Sequence, residues 1–164
     1  HVLNRGRGAE SAARRFEVNR LVRDMVHTIT PLCREHQVAL HLNVHPEPIM
    51  VSGDPERLRQ ALMNIVLNAV DAIGHRGTVT ISLSSDALSA RIEIADSGPG
   101  IADTDLSRIW DPYFTTKPDG SGIGLFAARA VAQEFGGTIE ACNGTSGGCV
   151  FKVHLPAATP DPLA

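Results

Sequence analysis

Hydrophobic positions along the chain switch between helical and strand periods. Leu21, Val22, Met25, Val26, Ile29, Leu32 and Cys33 recur at helical spacing, and Asn19 stands where an N-cap residue belongs, which predicts a first helix from Asn19. Val38 to His45 alternates strictly, with Leu40, Leu42 and Val44 on one face and His41, Asn43 and His45 on the other, as in a half-buried strand. A short Pro-bounded strand is expected around Ile49 to Ser52. Asp54-Pro55 then supplies an N-cap followed by proline at the first helical position, opening a long helix that runs to Ile73. Thr78 to Ser84 and Arg91 to Ala95 are rich in alternating Ile, Val and Leu and predict two strands paired antiparallel.

Regular periodicity stops at Asp96. As far as Gly122 the chain is dominated by Gly, Pro, Asp, Ser and Thr, with a short helix expected only at Asp103 to Ile109. So long a connection inside a compact domain is usually functional. A helix from Ile123 to Phe135 closes on Gly136-Gly137. Strands Thr138 to Cys142 and Cys149 to Leu155 then form a last hairpin around Asn143-Gly144 and Gly147-Gly148. Residues 1–15 lack an apolar period and suit a linker, and a Pro- and Ala-rich tail follows Pro156.

Composition narrows the function classes. With 164 residues, 43% hydrophobic, 20% charged and a net charge of -3, the chain suits one soluble domain with a proper core. Fifteen Lys and Arg against eighteen Asp and Glu, with five Phe, one Tyr and one Trp, advertise no basic surface with stacking rings, so nucleic acid is not an expected partner. No uncharged apolar run approaches the ~20 residues that span a bilayer, and no signal-peptide layout opens the chain, which points to a cytoplasmic domain without membrane contact. Cys33, Cys142 and Cys149 are odd in number and widely spaced, which argues against a disulfide framework or zinc site and predicts buried thiols. The start at His1 suggests a piece of a longer protein.

Three features carry chemistry. On a helical wheel, Arg57, Gln60, Asn64, Asn68 and Asp71 form one narrow polar stripe on the helix ending at Ile73, and nearly every other direction is apolar. A buried helix with such a stripe must turn it toward a cavity or toward partners. Carboxamide oxygens such as those of Asn64 and Asn68 serve a hard cation like Mg²⁺ without adding charge, or else satisfy buried backbone groups. Asp96-Ser97-Gly98-Pro99-Gly100 follows a strand directly, placing a carboxylate, an acceptor suited to an exocyclic amine, where the backbone can approach a ligand. Gly120-Ser121-Gly122-Ile123-Gly124 precedes a helix, whose N-terminal amides suit phosphate, although the run is neither a P-loop nor a dinucleotide fingerprint.

Together these motifs, in this order, resemble the ATP-binding catalytic domain of two-component sensor histidine kinases over roughly Phe16 to Pro156. Leu62 to Ala69 resembles the family's N box, Asp96 to Gly100 its G1 box, Ile109 to Lys117 its F box and Gly120 to Leu125 its G2 box on a mobile lid; Gly147 to Phe151 resembles the closing glycine motif. The resemblance implies an α+β two-layer sandwich: a mixed, largely antiparallel sheet of about five strands covered on one face by three helices. It implies that Asn68 coordinates Mg²⁺, that Asp96 receives the adenine amine, and that ATP is further held by Ser97, Gly98, Gly100, Ile101, Thr116, Gly120, Ser121, Gly122, Ile123, Gly124 and Leu125. Related gyrase, mismatch-repair and heat-shock ATPases place a water-activating glutamate at the position of Asn64, and an asparagine is no such base, so hydrolysis is expected to be slow. Many members carry a basic residue where Asp71 stands, and the Asn-Ala-Val-Asp-Ala run looks more like the nitrogen-regulatory subgroup. Lys117 is then the expected cationic contact to phosphate. Cys149 stands where the family commonly has a small hydroxyl residue.

The expected layout is residues 1–15 as a remnant of a preceding helical dimerisation domain, 16–156 as the catalytic domain and 157–164 as a disordered tail. The expected function is to bind MgATP and donate its γ-phosphate to a histidine on that separate helical domain, for relay to a response regulator. The isolated chain is expected to be monomeric and the parent a homodimer. His27-Thr28-Ile29-Thr30-Pro31 lacks the acidic residue of a phosphoacceptor motif, so the chain is not expected to phosphorylate itself. Trp110, Tyr113 and Phe114 either plug the domain's own core or dock on the helical domain. A module that binds ATP without turnover is the alternative. His41 and His45 share a strand face without a third metal ligand.

Overall fold

The computed structural model describes residues 14–118 and 120–159. The elements are β1 (Arg14–Glu17), α1 (Val18–Glu35), β2 (Val38–Asn43), β3 (Met50–Gly53), α2 (Pro55–Ile73), β4 (Gly77–Ser85), β5 (Ser89–Asp96), α3 (Gly124–Glu134), β6 (Thr138–Asn143) and β7 (Cys149–Pro156). Five strands form one sheet in the order β2-β4-β5-β7-β6, with β2 and β4 parallel and every other pairing antiparallel. Period-2 alternation sorts its faces. Val79, Ile81, Leu83, Ile92, Ile94, Phe151, Val153 and Leu155 are buried toward the helices, whereas Thr80, Ser82, Glu93, Lys152 and His154 occupy the alternate positions. The expected two-layer sandwich of three helices on a mixed sheet is the observed architecture.

Helix α2 is the spine of the core. The Asp54 carboxylate accepts the Glu56 amide at 3.0 Å, capping the first turn, and proline follows at the first helical position. Leu58, Ala61, Leu62, Ile65, Val66, Ala69 and Val70 are buried, and each large side chain among them contributes roughly 1.5–3 kcal/mol by leaving water. The polar stripe is left for the opposite side. At its N-terminal end Arg57 pairs through two nitrogens with Glu134, tying α2 to α3.

Several expectations are corrected. Asn19 is not a cap: α1 begins at Val18, and Asn19 is 2% exposed within its first turn. Its side-chain amide donates to the carbonyls of His45 and Glu47 at 3.0 and 3.1 Å, and its oxygen accepts the Ile49 amide at 2.9 Å. That clamp draws the chain out of the sheet, so β2 stops at Asn43 rather than His45. Arg14 and Arg15, expected in a linker, begin β1, which pairs antiparallel with β3 in a small second sheet. Residues 1–13 of that linker lie outside the described residues. The short helix at Asp103 to Ile109 is instead a run of turns, closed on the carbonyls of Ala102 and Asp105. Asp103, Thr104 and Ser107 are weak helix formers there, and the run is anchored by buried Ile109. Cys142 is exposed, unlike Cys33 and Cys149. Ala157 and Ala158, expected in the tail, donate backbone hydrogen bonds to Leu88 and Met50, and residues 160–164 lie outside the described residues. Among the described residues no helix is long and apolar enough to cross a membrane.

Candidate functional site

A cleft of about 560 Å³ opens between the polar stripe of α2, the connection after β5 and the start of α3. Its volume suits a ligand of nucleotide size.

One end is built around Asp96, the last residue of β5. Its Oδ1 accepts the amides of Gly98 at 2.8 Å and Cys149 at 3.3 Å, while Oδ2 has no hydrogen-bond donor among the described residues. Burial raises the carboxyl's pKa, and the two amides pull it back. The start of β7 reaches Asp96 because Gly148 has φ +73° and no side chain: a Cβ there would collide with the Asp96 carbonyl. Cys149, next along, is 4% exposed, and its thiol is pushed up to about 12, chiefly by burial and then by the charges of Asp96 and Cys142. Asn143 was legible only as a turn residue. Its side chain accepts the Ile101 amide at 2.8 Å and donates to the Ile101 carbonyl at 2.7 Å, fixing the loop that borders this end.

The other end combines the stripe, the glycine run and Lys117. Asn64 donates to the Gly124 carbonyl at 3.4 Å, linking α2 to the start of α3. Ile123, the N-cap of α3, offers no side-chain acceptor, so the first-turn amides are not capped by it. Lys117 Nζ lies 3.1 Å from Asp71 Oδ2 and 3.4 Å from Asn68 Oδ1. A cationic group already seats between a carboxylate and a carboxamide oxygen, the donor types that Mg²⁺ takes alongside water and phosphate oxygens, so the residues fit that ion. Among the described residues no cluster of three His, Cys, Asp or Glu is placed for a metal, His41 and His45 included.

The aromatic trio divides. Trp110 packs edge-on against Phe151 with centroids 6.0 Å apart, and Phe114 lies under the Arg108 guanidinium at 4.5 Å. Tyr113 is 75% exposed. Its amide donates to the Gly122 carbonyl at 3.0 Å, and a Cβ on Gly122, at φ +69°, would strike the Tyr113 backbone.

Of the residues expected at the site, Asn64, Asn68, Asp96, Gly100, Ile101, Thr116, Lys117, Gly120, Ser121, Gly122, Gly124 and Leu125 line this cleft. Ser97, Gly98 and Ile123 are not in its lining. Ser97 exchanges hydrogen bonds with the Thr78 backbone, Gly98 acts through its amide on Asp96, and Ile123 is exposed. Asp71, Asp105, Cys149 and Phe151 also line the cleft; Cys149 and Phe151 fall in the closing glycine motif, whereas Asp105 carries no sequence signal beyond an ordinary loop position.

Residues 53–159 match the family model described as histidine kinase-, DNA gyrase B- and HSP90-like ATPase. Among characterised relatives, sensor histidine kinase ZraS of Escherichia coli is 32% identical over 145 residues, covering 88% of this chain but 31% of the relative's own length. The catalytic domain of histidine kinase ThkA superposes with a TM-score of 0.81 at 30% identity, covering 88% of this chain and 97% of that one. ThkA in complex with the response regulator protein TrrA gives 0.78 at 27%, over 89% and 42% of the two chains. Full-length ShkA in complex with AMPPNP gives 0.81 at 27%, over 91% and 32%. With these motifs gathered in one cleft, the chain belongs to the histidine kinase-, DNA gyrase B- and HSP90-like ATPase family, as a catalytic ATP-binding domain of the sensor histidine kinase type.

Proposed function

We propose that this domain binds MgATP and presents the γ-phosphate to a histidine on a separate helical dimerisation and phosphoacceptor domain, in a two-component relay that ends on a response regulator. The observation that carries this reading is the polarity of the cleft. A fixed carboxylate stands at one end, and a lid ammonium, amide oxygens and a helix N-terminus stand at the other. That order suits adenine at Asp96 and the phosphates toward α3. The free Oδ2 of Asp96 takes the adenine amine, and Gly100 and Ile101, braced by Asn143, border the base. Thr116, Ser121 and the amides of Gly122, Gly124 and Leu125 hold the phosphates, Gly120 borders them, and Lys117 supplies positive charge to them.

Asn68 would hold Mg²⁺, which supplies charge neutralisation on the phosphates. Phosphoryl transfer needs positioning and electrostatic stabilisation more than covalent participation by the protein, and these side chains offer that. Asn64 donates its amide to Gly124 and has no basic group with which to activate water, which favours transfer over hydrolysis. The acceptor histidine, the homodimeric parent and a cytoplasmic setting belong to the same reading, as does the nitrogen-regulatory-like subgroup suggested by Asp71.

The test combines this chain with the helical domain of its parent and ATP labelled at the γ-phosphate. Acid-labile label on a histidine of the helical domain, and none on this chain alone, is the expected result. A helical domain that a known kinase can label, yet this chain cannot, would overturn the transfer step and favour an ATP-binding module without turnover.

A further inference from the structure

Over its described residues, 115–118 and 120–122, the loop before α3 is closed on itself. The Thr115 hydroxyl accepts the Lys117 amide at 3.0 Å, the Gly120 amide donates to the Lys117 carbonyl at 3.2 Å, and Gly122 is bonded to Tyr113. Among the described residues, its side-chain hydrogen bonds to α2 both come from Lys117 Nζ, to Asp71 Oδ2 and to Asn68 Oδ1. Asp71 lies three residues after Asn68, on the same face of α2, so its carboxylate and the Asn68 carboxamide converge on one ammonium. The Asn68 oxygen is also the one proposed for Mg²⁺. An ammonium and a Mg²⁺ at one amide oxygen repel each other, so occupancy by one disfavours the other.

We propose that Asp71 is a positioning residue: its carboxylate tethers the Lys117 ammonium over Asn68, so that the lid's own cation holds the place of Mg²⁺ until MgATP exchanges with it. This rests on the reading of the cleft as a nucleotide site. The tether does two things. It keeps the lid folded against α2 while nucleotide is absent, and it holds Lys117 near the phosphates' destination, so that its charge passes to them when the metal takes the Asn68 oxygen. An acidic residue at position 71 is thereby accounted for: charge that a basic residue on α2 would supply comes instead from the lid. Asp71 and Lys117 are both partly solvated, so the pair is worth a few-fold in lid population rather than orders of magnitude.

Lys117 and Lys152 are the chain's two lysines, and Lys152 lies on β7, outside the cleft lining. Brief acylation of the nucleotide-free protein with an amine-reactive ester, read by peptide mass spectrometry, therefore reports Lys117 shielding with an internal reference. Asp71→Asn should raise the Lys117-to-Lys152 labelling ratio two- to five-fold, and Asp71→Glu should restore most of the shielding. In parallel, Asp71→Asn removes a contact that the nucleotide-free lid makes and MgATP must displace, so it should tighten ATP binding by a similar factor and leave AMP binding unchanged, since AMP has no β- or γ-phosphate for Lys117. An unchanged labelling ratio in Asp71→Asn, or a gain equally large in Asp71→Glu, overturns the tether. If the wild type binds ATP normally in that experiment, only the tether fails. If the wild type binds no adenine nucleotide, the reading of the site fails instead.

Discussion

The backbone amide of Cys149 donates to Asp96 Oδ1 across 3.3 Å, so the end of β5 is locked by the start of β7. Together with the Gly98 amide it occupies one carboxylate oxygen, and burial holds the carboxyl's pKa above the ordinary aspartate value. A raised folded-state pKa means that ionised Asp96 costs stability at neutral pH, and the cost disappears as pH falls through the raised value. An adenine amine bonds more strongly to the ionised acceptor than to the protonated one. Nucleotide affinity should therefore fall, on the acid side, at a higher pH than a solvated aspartate would produce, and binding near that pH should release a proton. Calorimetry in buffers of different ionisation enthalpy reads both, and Asp96→Asn should bind weakly with that acid limb removed. A wild-type profile that coincides with the Asp96→Asn profile would show that Asp96 is not the titrating acceptor.

Asn19 offers a prediction about the fold. Its three hydrogen bonds fasten the 45–49 segment to α1 from a side chain that is itself buried. Asn19→Ala leaves two carbonyls and an amide without their partner, which should destabilise the domain by about 1–3 kcal/mol. Urea unfolding followed by circular dichroism should show a lower midpoint at unchanged slope. Asn19→Ala at wild-type stability would mean that water replaces the clamp without cost.

Thiol chemistry separates the three cysteines. Cys142 is exposed, whereas Cys33 is buried with its thiol pushed up by desolvation, and Cys149 is pushed up to about 12. At pH 8 the reactive thiolate is thus scarce at Cys149 despite its place on the cleft wall. Iodoacetamide should modify Cys142 first, with the buried pair reacting only on unfolding. Rapid alkylation of Cys149 in the folded protein, seen by peptide mapping, would contradict this.

Much of the architecture was legible in local pattern. Asp54-Pro55 located the start of α2, and the wheel of Asn64, Asn68 and Asp71 identified the face that borders the cleft. The strands of the main sheet announced themselves because half-buried strands alternate. What escaped depends on partners distant in sequence. Asn19 satisfies a cap preference and a tertiary clamp equally well, and its true partners lie 26–30 residues away. Strand β1 carries two arginines and no alternation, and it exists because β3 presents an edge to it. Asn143 sits in an Asn-Gly pair that suggests only a turn, yet its side chain holds Ile101, 42 residues earlier. The meeting of Lys117 with Asp71 spans 46 residues and leaves no mark on either local pattern.

A calorimetric titration of ATP with Mg²⁺ into the wild-type chain and into Asp96→Ala addresses the nucleotide site itself. Hydrogen bonds to charged groups are worth about 1.5–3 kcal/mol, so the substitution should weaken binding at least about tenfold while the folded spectrum is kept. Saturable uptake at a single site by the wild type, lost or strongly weakened in Asp96→Ala, is the predicted result; no uptake by the wild type, or equal affinity in the two proteins, would contradict it.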